Sequence, residues 1–279
     1  MVTVPNKQLL ADLKEVLNMS TCNPVGTPAT KAWTYQAGDD EVLTAGEHSL
    51  YRTAVGKLLF MAQDRADIKY ATKECARELS APTGLSMRKV KHIVKYVEGT
   101  ADYGAGIRKG EKAWDQIDVY CDSDWAACVR TRRSTSGIIL KVGGNTLGTW
   151  SKTQATVALS SGEAEFVALH QGVLEGLAAR SLLNEIFDKD FRVALQTDNT
   201  AACAMALRSG PGRVKHVDLK MMFIQELAKK KIVEVRKIGT LNNPADLLTK
   251  AVDQTTLERL LWSTGVSRLG APEIAAVTK

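Results

Sequence analysis

The order of strand-like and helical segments after a glycine-rich stretch at residues 99–112 constrains the fold more than any other feature of this sequence. Short apolar or alternating runs predict strands at 117–121, 136–142, 146–151, 193–197 and 232–238. Helical patterns cover 161–187, 200–208, 217–230 and 244–250. The order predicts an α/β domain with one five-stranded mixed sheet flanked by helices. Gly143 and Gly144 predict a hairpin between the second and third strands.

The part of the chain before this stretch has a different pattern. Helical spacing of apolar residues occurs at 8–17, 49–63, 67–79 and 86–98. Ser86 is the predicted N-cap of the last of these helices, and Gly99 is its C-terminal glycine. We therefore expect residues 1–107 to form a mostly helical unit, residues 113–264 to form the sheet domain, and residues 265–279 to be a poorly ordered tail.

Cysteine usage and hydropathy indicate the compartment. The five cysteines are odd in number and scattered, and none forms a Cys-x-x-Cys pair, which argues against a disulfide framework or a zinc site. The sequence has no signal-like apolar run near its start and no stretch of about 20 apolar residues that could span a bilayer. We therefore expect an intracellular protein, cytoplasmic or nuclear, with no membrane partner.

Positive charge is concentrated in one segment. The net charge is +6, and residues 208–237 contain nine basic side chains against three acidic ones. Such a run is often only a solvated helix face, but a surface that follows nucleic-acid phosphates is the interpretation we favour. The basic segment lies between two candidate site acids, Asp198 and Asp246, in the sequence.

Four carboxylates lie where predicted elements begin or end. Asp122 follows the first strand, Glu165 lies near the start of the long helix, Asp198 follows the fourth strand, and Asp246 lies near the start of the last helix. If the first and fourth strands are neighbours, these acids converge at one sheet edge. Carboxylates gathered in a small volume repel one another, and hard cations such as Mg²⁺ neutralise them.

Each acid taken alone also has an ordinary explanation as a turn residue or helix cap. Asp124 and Glu163 compete with Asp122 and Glu165, and spacing alone does not exclude them. Trp125 is more typical of packing than of base stacking.

Several motifs together resemble the ribonuclease H domain of copia-type retrotransposon Pol polyproteins. They are Tyr-Cys-Asp-Ser-Asp-Trp-Ala at 120–126, Arg-Arg-Ser-Thr-Ser-Gly at 132–137, Trp-Ser-Lys-Thr-Gln at 150–154, Ser-Ser-Gly-Glu-Ala-Glu-Phe-Val-Ala-Leu at 160–169, Thr-Asp-Asn-Thr-Ala-Ala at 197–202, Val-Lys-His-Val-Asp-Leu at 214–219 and Asn-Pro-Ala-Asp-Leu-Leu-Thr-Lys at 243–250. Their number and their order make the resemblance specific.

The resemblance implies a ribonuclease H-like fold and an endonuclease that hydrolyses the RNA strand of RNA–DNA hybrids. It implies a metal-binding quartet of Asp122, Glu165, Asp198 and Asp246, holding two Mg²⁺ ions with Mn²⁺ as an alternative. Glu165 is preferred over Glu163 because it matches the pattern around the family glutamate, and Asp122 over Asp124 because it directly follows the predicted strand. The expected nucleic-acid-binding residues are Arg208, Arg213, Lys215, His216, Lys220, Lys229 and Lys230. His216 also fits an ordinary surface helix start.

Upstream, three segments resemble the part of these polyproteins that follows the reverse-transcriptase palm: 51–60, 65–71 and 97–104. The polymerase motif Tyr-x-Asp-Asp is absent, and Ala66 stands where the family usually has proline. The short loop at 239–243 lacks the histidine that cellular ribonucleases H carry before the last acid. We therefore expect a chain that cannot polymerise DNA and that has the remainder of a reverse transcriptase as a further partner.

Two other functions fit the same residues. A catalytically silent nucleic-acid-binding remnant of a retrotransposon would keep the fold without cleavage. A helical interaction module in residues 1–107 would bind another protein by itself.

Overall fold

The computed structural model of the chain describes residues 7–34, 36–107, 114–208 and 218–269, with the side chains of 218–221 left aside. The chain forms two compact units. The first combines Met1–Ile107 with Ala251–Lys279, and the second is Arg108–Lys250. Among the described residues, no helix has the length and apolar character needed to cross a bilayer.

The first unit is mostly helical, as the sequence predicts. Its first elements are α1 (Lys7–Val16), α2 (Ala45–Met61), α3 (Ala66–Ala76), α4 (Gly84–Gly99) and the short strand β1 (Tyr103–Ala105). Helix α2 begins with a capping box, in which Thr44 and Glu47 satisfy each other's backbone N–H groups. The predicted N-cap of α4 was wrong, because Thr83 occupies that position and Ser86 is the third helical residue that bonds back to it.

The second unit is built on one five-stranded sheet. Its elements are β2 (Gln116–Asp124), β3 (Thr135–Val142), β4 (Asn145–Thr153), α5 (Ser161–Phe187), β5 (Arg192–Thr197), α6 (Thr200–Leu207), α7 (Asp218–Lys229) and β6 (Val233–Lys237). The strand order is β4-β3-β2-β5-β6. β3 is antiparallel to both β2 and β4, whereas β5 is parallel to both β2 and β6. This confirms the predicted fold class of an α/β unit with a five-stranded mixed sheet flanked by helices.

The hairpin between β3 and β4 forms where the two glycines predict it. Gly143 and Gly144 have φ values of +56° and +82°, a conformation that side chains disfavour and that two-residue hairpin turns require. Helix α5 uses glycine differently. A Cβ built on Gly172 would lie 2.4 Å from Cys121 Sγ, and one on Gly176 would lie 2.9 Å from Val193 Cγ1. The two glycines therefore let α5 lie close on the sheet.

Two predicted element ends differ from the structure. Strand β2 continues through Asp124, because its backbone still pairs with β3 as far as Thr135. Asp122 therefore lies inside the strand, and the reason for preferring it over Asp124 was wrong. The last predicted helix is a short 3₁₀ turn, Pro244–Leu248, whose residues are all buried.

The C-terminal prediction also changes. After the 3₁₀ turn come α8 (Gln254–Leu261) and β7 (Val266–Arg268). β7 pairs antiparallel with β1, and Leu257 and Leu260 of α8 are buried. These contacts place the described residues after Lys250 in the first unit, whereas the sequence predicted a sheet domain at 113–264 and a poorly ordered tail at 265–279. Residues 270–279 lie outside the described part of the chain. The backbone pairing of β7 is the physical reason for the difference.

Candidate metal centre at the sheet edge

Asp122, within β2, and Asp198, directly after β5, lie at equivalent positions of two adjacent parallel strands. The parallel pairing of β2 and β5 runs as far as Tyr120 opposite Gln196. Each aspartate lies two residues beyond this last pair, so the two acids meet at one edge of the sheet. The predicted neighbourhood of the first and fourth strands is confirmed. Asp122 is only 3% exposed, and Asp198 is half-buried.

Glu165 reaches the same edge from the first turns of α5. Its Oε1 accepts a hydrogen bond from the backbone N–H of Ser123 at 3.2 Å, which ties the helix to β2. Gln154 fixes the helix start from the other side, because its side chain donates to the carbonyl of Ala164 at 2.8 Å. Glu163, the competitor in the sequence, accepts a hydrogen bond from the backbone N–H of Leu159 at 2.8 Å beside the N-cap.

The structure brings three of the four predicted acids together. One carboxylate oxygen from each of Asp122, Glu165 and Asp198 lies within 4.8 Å of the others. Glu165 Oε2 is buried and accepts no hydrogen bond from any described residue. A buried carboxylate oxygen without a donor is costly, and a bound cation would compensate it.

The fourth acid, Asp246, lies outside this 4.8 Å group. The 3₁₀ turn that carries it is anchored to β2 by Asn243, whose fully buried side chain donates to the carbonyl of Cys121 at 3.0 Å. Thr249, directly after the turn, donates its hydroxyl to Asp122 Oδ2 at 2.5 Å. Gly137 in β3 makes room for the turn, since a Cβ there would lie 2.7 Å from the carbonyl oxygen of Ala245.

A lysine is part of the site. Lys250 Nζ lies 2.9 Å from Asp246 Oδ1 and is half-exposed, whereas the aspartate is nearly buried. Although partial burial acts to lower it, the pKa of Lys250 is raised by the nearby charges of Asp122 and Asp246. The ammonium group therefore stays charged and partly balances the acids.

The two most buried acids of this site, Asp122 and Glu165, hold protons unusually strongly. Burial, followed by repulsion from Asp246, raises the pKa of Asp122 to about 7. Burial, followed by repulsion from Asp122 and Asp198, raises the pKa of Glu165 to about 8. Close carboxylates with an unpartnered buried oxygen are the hard-oxygen donor set that divalent cations such as Mg²⁺ prefer. The residues present thus fit a divalent metal ion.

The predicted nucleic-acid-binding residues are only partly described. Arg213, Lys215 and His216 lie outside the described residues, and so does the side chain of Lys220. Lys229 and Lys230 are exposed at the end of α7, where Lys230 forms an ion pair with Glu226 at 2.6 Å. Arg208, directly after α6, is half-buried. Their role in binding stays a prediction.

Sequence reasoning missed four residues that shape the site: Gln154, Asn243, Thr249 and Lys250. All four lie in motifs that carried the resemblance, at 150–154 and 243–250. The spacing of Lys250, four residues after Asp246, is the spacing of side-chain neighbours on a helical turn and was the available signal.

The chain was compared with families and with proteins of known sequence. No protein-family model matches the chain. The retrovirus-related Pol polyprotein from transposon RE1 of Arabidopsis thaliana is 29% identical over 267 residues, which cover 94% of this chain and 18% of that protein. An uncharacterized Arabidopsis mitochondrial protein, AtMg00810, is 34% identical over 60% of this chain and 70% of its own length. The chain thus spans about a fifth of the Pol polyprotein that it matches.

Among solved structures, LC11-RNase H1, isolated from compost by a metagenomic approach, is 18% identical with a TM-score of 0.37. The match covers 53% of this chain and 99% of that one.

Proposed function

We propose that the chain is part of a retrovirus-related Pol polyprotein of a transposon, the kind of protein it is similar to over most of its length, and that its second unit is a magnesium-dependent endonuclease that hydrolyses the RNA strand of RNA–DNA hybrids. The convergence of Asp122, Glu165 and Asp198, together with the buried Glu165 Oε2 that no described donor reaches, carries this proposal. The mixed sheet with its ribonuclease H-like strand order supports it. The copia-type assignment made from the motifs is part of the same proposal.

The four acids and their neighbours have different parts in the proposed site. Asp122, Glu165 and Asp198 would hold the metal, with Asp246 as the fourth carboxylate at its margin. When bound, Mg²⁺ supplies Lewis-acid stabilisation of the phosphodiester and lowers the pKa of attacking water. Thr249 fixes the orientation of Asp122 by hydrogen bonding, and Ser123 does the same for Glu165. Lys250 holds Asp246 in place and places a positive charge beside the acids.

The proposed substrate is recognised by groove shape and by 2′-hydroxyl contacts on the RNA strand rather than by base sequence. Binding to the phosphate backbone would then weaken steeply with salt. The Pol family context supports a nucleic-acid substrate, with the remaining part of a reverse transcriptase as a further partner.

Single substitutions at two site acids, each with a matched control at a neighbouring acid, test the site in the full chain. We expect Asp122→Asn and Glu165→Gln to lower hybrid cleavage by about 1,000-fold or more, because the metal contributes several kcal/mol to the transition state. The matched controls, Asp124→Asn and Glu163→Gln, change the neighbouring competitors and should keep most of the activity. Cleavage of a labelled hybrid is measured with Mg²⁺ and with Mn²⁺, and circular dichroism confirms that each variant is folded.

Equal losses in the controls and the site variants would contradict the assignment. If the unsubstituted chain binds the hybrid but cleaves it with neither metal, the protein is instead a silent nucleic-acid-binding remnant.

A further inference from the structure

The loop that joins β2 to β3, residues 125–134, has an unusual charge composition. It contains three arginines and no acidic residue. Arg130, Arg132 and Arg133 are all exposed. Within the described part of the chain, none of these three side chains forms an ion pair.

Other basic residues of the same unit behave differently. Several of them lie within ion-pair distance of an acid: Lys152 with Glu175, Arg180 with Asp190, Arg192 with Asp115, Arg236 with Glu234, and Lys250 with Asp246. The three loop arginines therefore present positive charge that the described acids do not neutralise. Such charge attracts anions from solution.

The loop has a fixed backbone. The indole N–H of Trp125 donates to the carbonyl of Ala158 at 3.0 Å, and the N–H of Ala126 donates to Ser134 Oγ at 3.1 Å. Across the loop, the N–H of Arg132 donates to the carbonyl of Cys128 at 2.7 Å. These bonds hold Ala126 and Arg132 in left-handed conformations, with φ values of +52° and +53°. The arginines are thus carried by an ordered turn, which lowers the entropy cost of binding a ligand.

The loop also begins at the acidic site. The residues that flank the loop, Asp124 of β2 and Thr135 of β3, are paired with each other in the sheet. Asp122 is two residues earlier in the same strand, about 7 Å along it at the usual rise per residue. A ligand held by the loop would therefore lie beside the carboxylates.

We propose that Arg130, Arg132 and Arg133 form a phosphate-binding loop that holds the backbone of the RNA–DNA hybrid next to the carboxylate site. The planar guanidinium group matches the geometry of phosphate oxygens and stays charged at every working pH. The proposal rests on the proposed function for its ligand, since it takes the hybrid as substrate. It adds a binding surface outside the basic segment 208–237.

The test measures binding without cleavage. The full chain is titrated with a labelled RNA–DNA hybrid in EDTA at several salt concentrations, and the double variant Arg130→Gln/Arg133→Gln is compared with it. Loss of two phosphate contacts should weaken binding by about tenfold and reduce the slope of log affinity against log salt by about two. Arg132 is left unchanged because of its left-handed backbone.

Two further variants make the result specific. Lys189→Gln/Arg192→Gln removes two exposed charges near the start of β5, at the other end of that strand from Asp198, and should keep the affinity and salt slope of the parent. Arg130→Lys/Arg133→Lys keeps the charge and should keep most of the salt slope.

Affinity and slope equal to the parent in the glutamine variant would overturn the proposal, and so would an equal loss in the Lys189/Arg192 control. Because binding is read in EDTA, a chain that fails to cleave the hybrid still gives a clear answer about the loop.

Discussion

At the residue scale, the carboxylates of the acidic site repel one another, and burial adds to the free-energy cost of ionising them. Asp122 and Glu165 are buried beside each other, and Thr249, Ser123 and Lys250 give them only partial compensation. Burial and repulsion act in the same direction on both acids, so both favour the protonated form in the metal-free protein. The site therefore disfavours folding at high pH unless a cation is present.

The first prediction concerns pH. In EDTA, Asp122 ionises near pH 4 in the unfolded chain but only near pH 7 in the folded one, so its contribution to stability is complete below pH 4 and is lost as the pH rises through about 7. Asp122→Asn removes this loss. Its unfolding free energy relative to the parent should rise by about 1.4 kcal/mol for each pH unit in that window. Urea unfolding in EDTA at pH 5 and pH 8 measures this, and a difference that is constant with pH would contradict it.

The second prediction concerns Lys250. Lys250→Gln removes a positive charge next to Asp246 and Asp122, so the metal-free protein should lose stability at pH 8. We expect a loss of roughly 1 kcal/mol, because the ammonium group is half-exposed and solvent screens it. Added Mg²⁺ should then stabilise the variant more than the parent, since the cation replaces the missing charge.

Thermal unfolding with EDTA and with Mg²⁺ measures this difference. Lys152→Gln, which removes an exposed partner of Glu175, is the control. The idea fails if Mg²⁺ shifts both variants and the parent equally.

At this scale the sequence could supply the acids but not all of their contacts. Strand ends and motif order led to Asp122, Glu165 and Asp198, and the structure brings these three together. The structure does not place Asp246 in the same close group. The four-residue spacing between Asp246 and Lys250 was the one sequence signal for their ion pair. The bond from Asn243 to Cys121 joins residues distant in sequence, and local patterns carry no information about such a bond.

At the element scale, the close packing of α5 on the sheet determines where Glu165 lies relative to the two strand aspartates. The helix carries Glu165 at one end and approaches the sheet closely through Gly172 and Gly176. The sequence predicted this helix with its observed bounds, Ser161–Phe187. The sequence did not predict that β2 extends to Asp124, because the polar residues there suggested a turn. In the structure, pairing with β3 keeps the backbone extended as far as Asp124.

The third prediction tests this close approach. Gly172→Ala places a Cβ against Cys121 Sγ and should destabilise the chain by roughly 1–3 kcal/mol through overpacking. The double variant Gly172→Ala/Cys121→Ala removes the contacted sulfur and should recover part of that loss. Gly56→Ala, in an exposed part of α2 with nothing within 4 Å of the added Cβ, should instead stabilise the chain by about 0.5–1 kcal/mol.

Urea denaturation followed by circular dichroism gives the three free energies. Similar effects of alanine at Gly172 and at Gly56 would show that helix propensity, and not contact with the sheet, decides the outcome.

At the scale of the whole molecule, the two units differ in how they use the chain. The second is continuous, whereas the first is completed by residues after Lys250. Hydrophobic periodicity identified α1 to α4 of the first unit but not α8. The pairing of β1 with β7 joins two three-residue strands far apart in sequence. Strands this short give no periodic signal, so the boundary at 264 could not be corrected from the sequence.

The fourth prediction follows from this division. Deleting the residues after Lys250 removes the partner of β1 and the buried leucines of α8. We expect faster amide hydrogen exchange in Tyr103–Ala105, while β2 and β5 in the second unit keep their protection. Hydrogen exchange with mass spectrometry measures both. Equal loss of protection in both units would contradict the division.

The pairing of Tyr103 with Arg268 also bears on the order of events during synthesis. Every residue of the sheet unit leaves the ribosome before β7 does. Synthesis of the first unit begins before that of the sheet unit, but the first unit is complete only after β7 is synthesised. The sheet unit can fold before β7 is available. A nascent chain would therefore acquire its carboxylate site before its older helical part is complete.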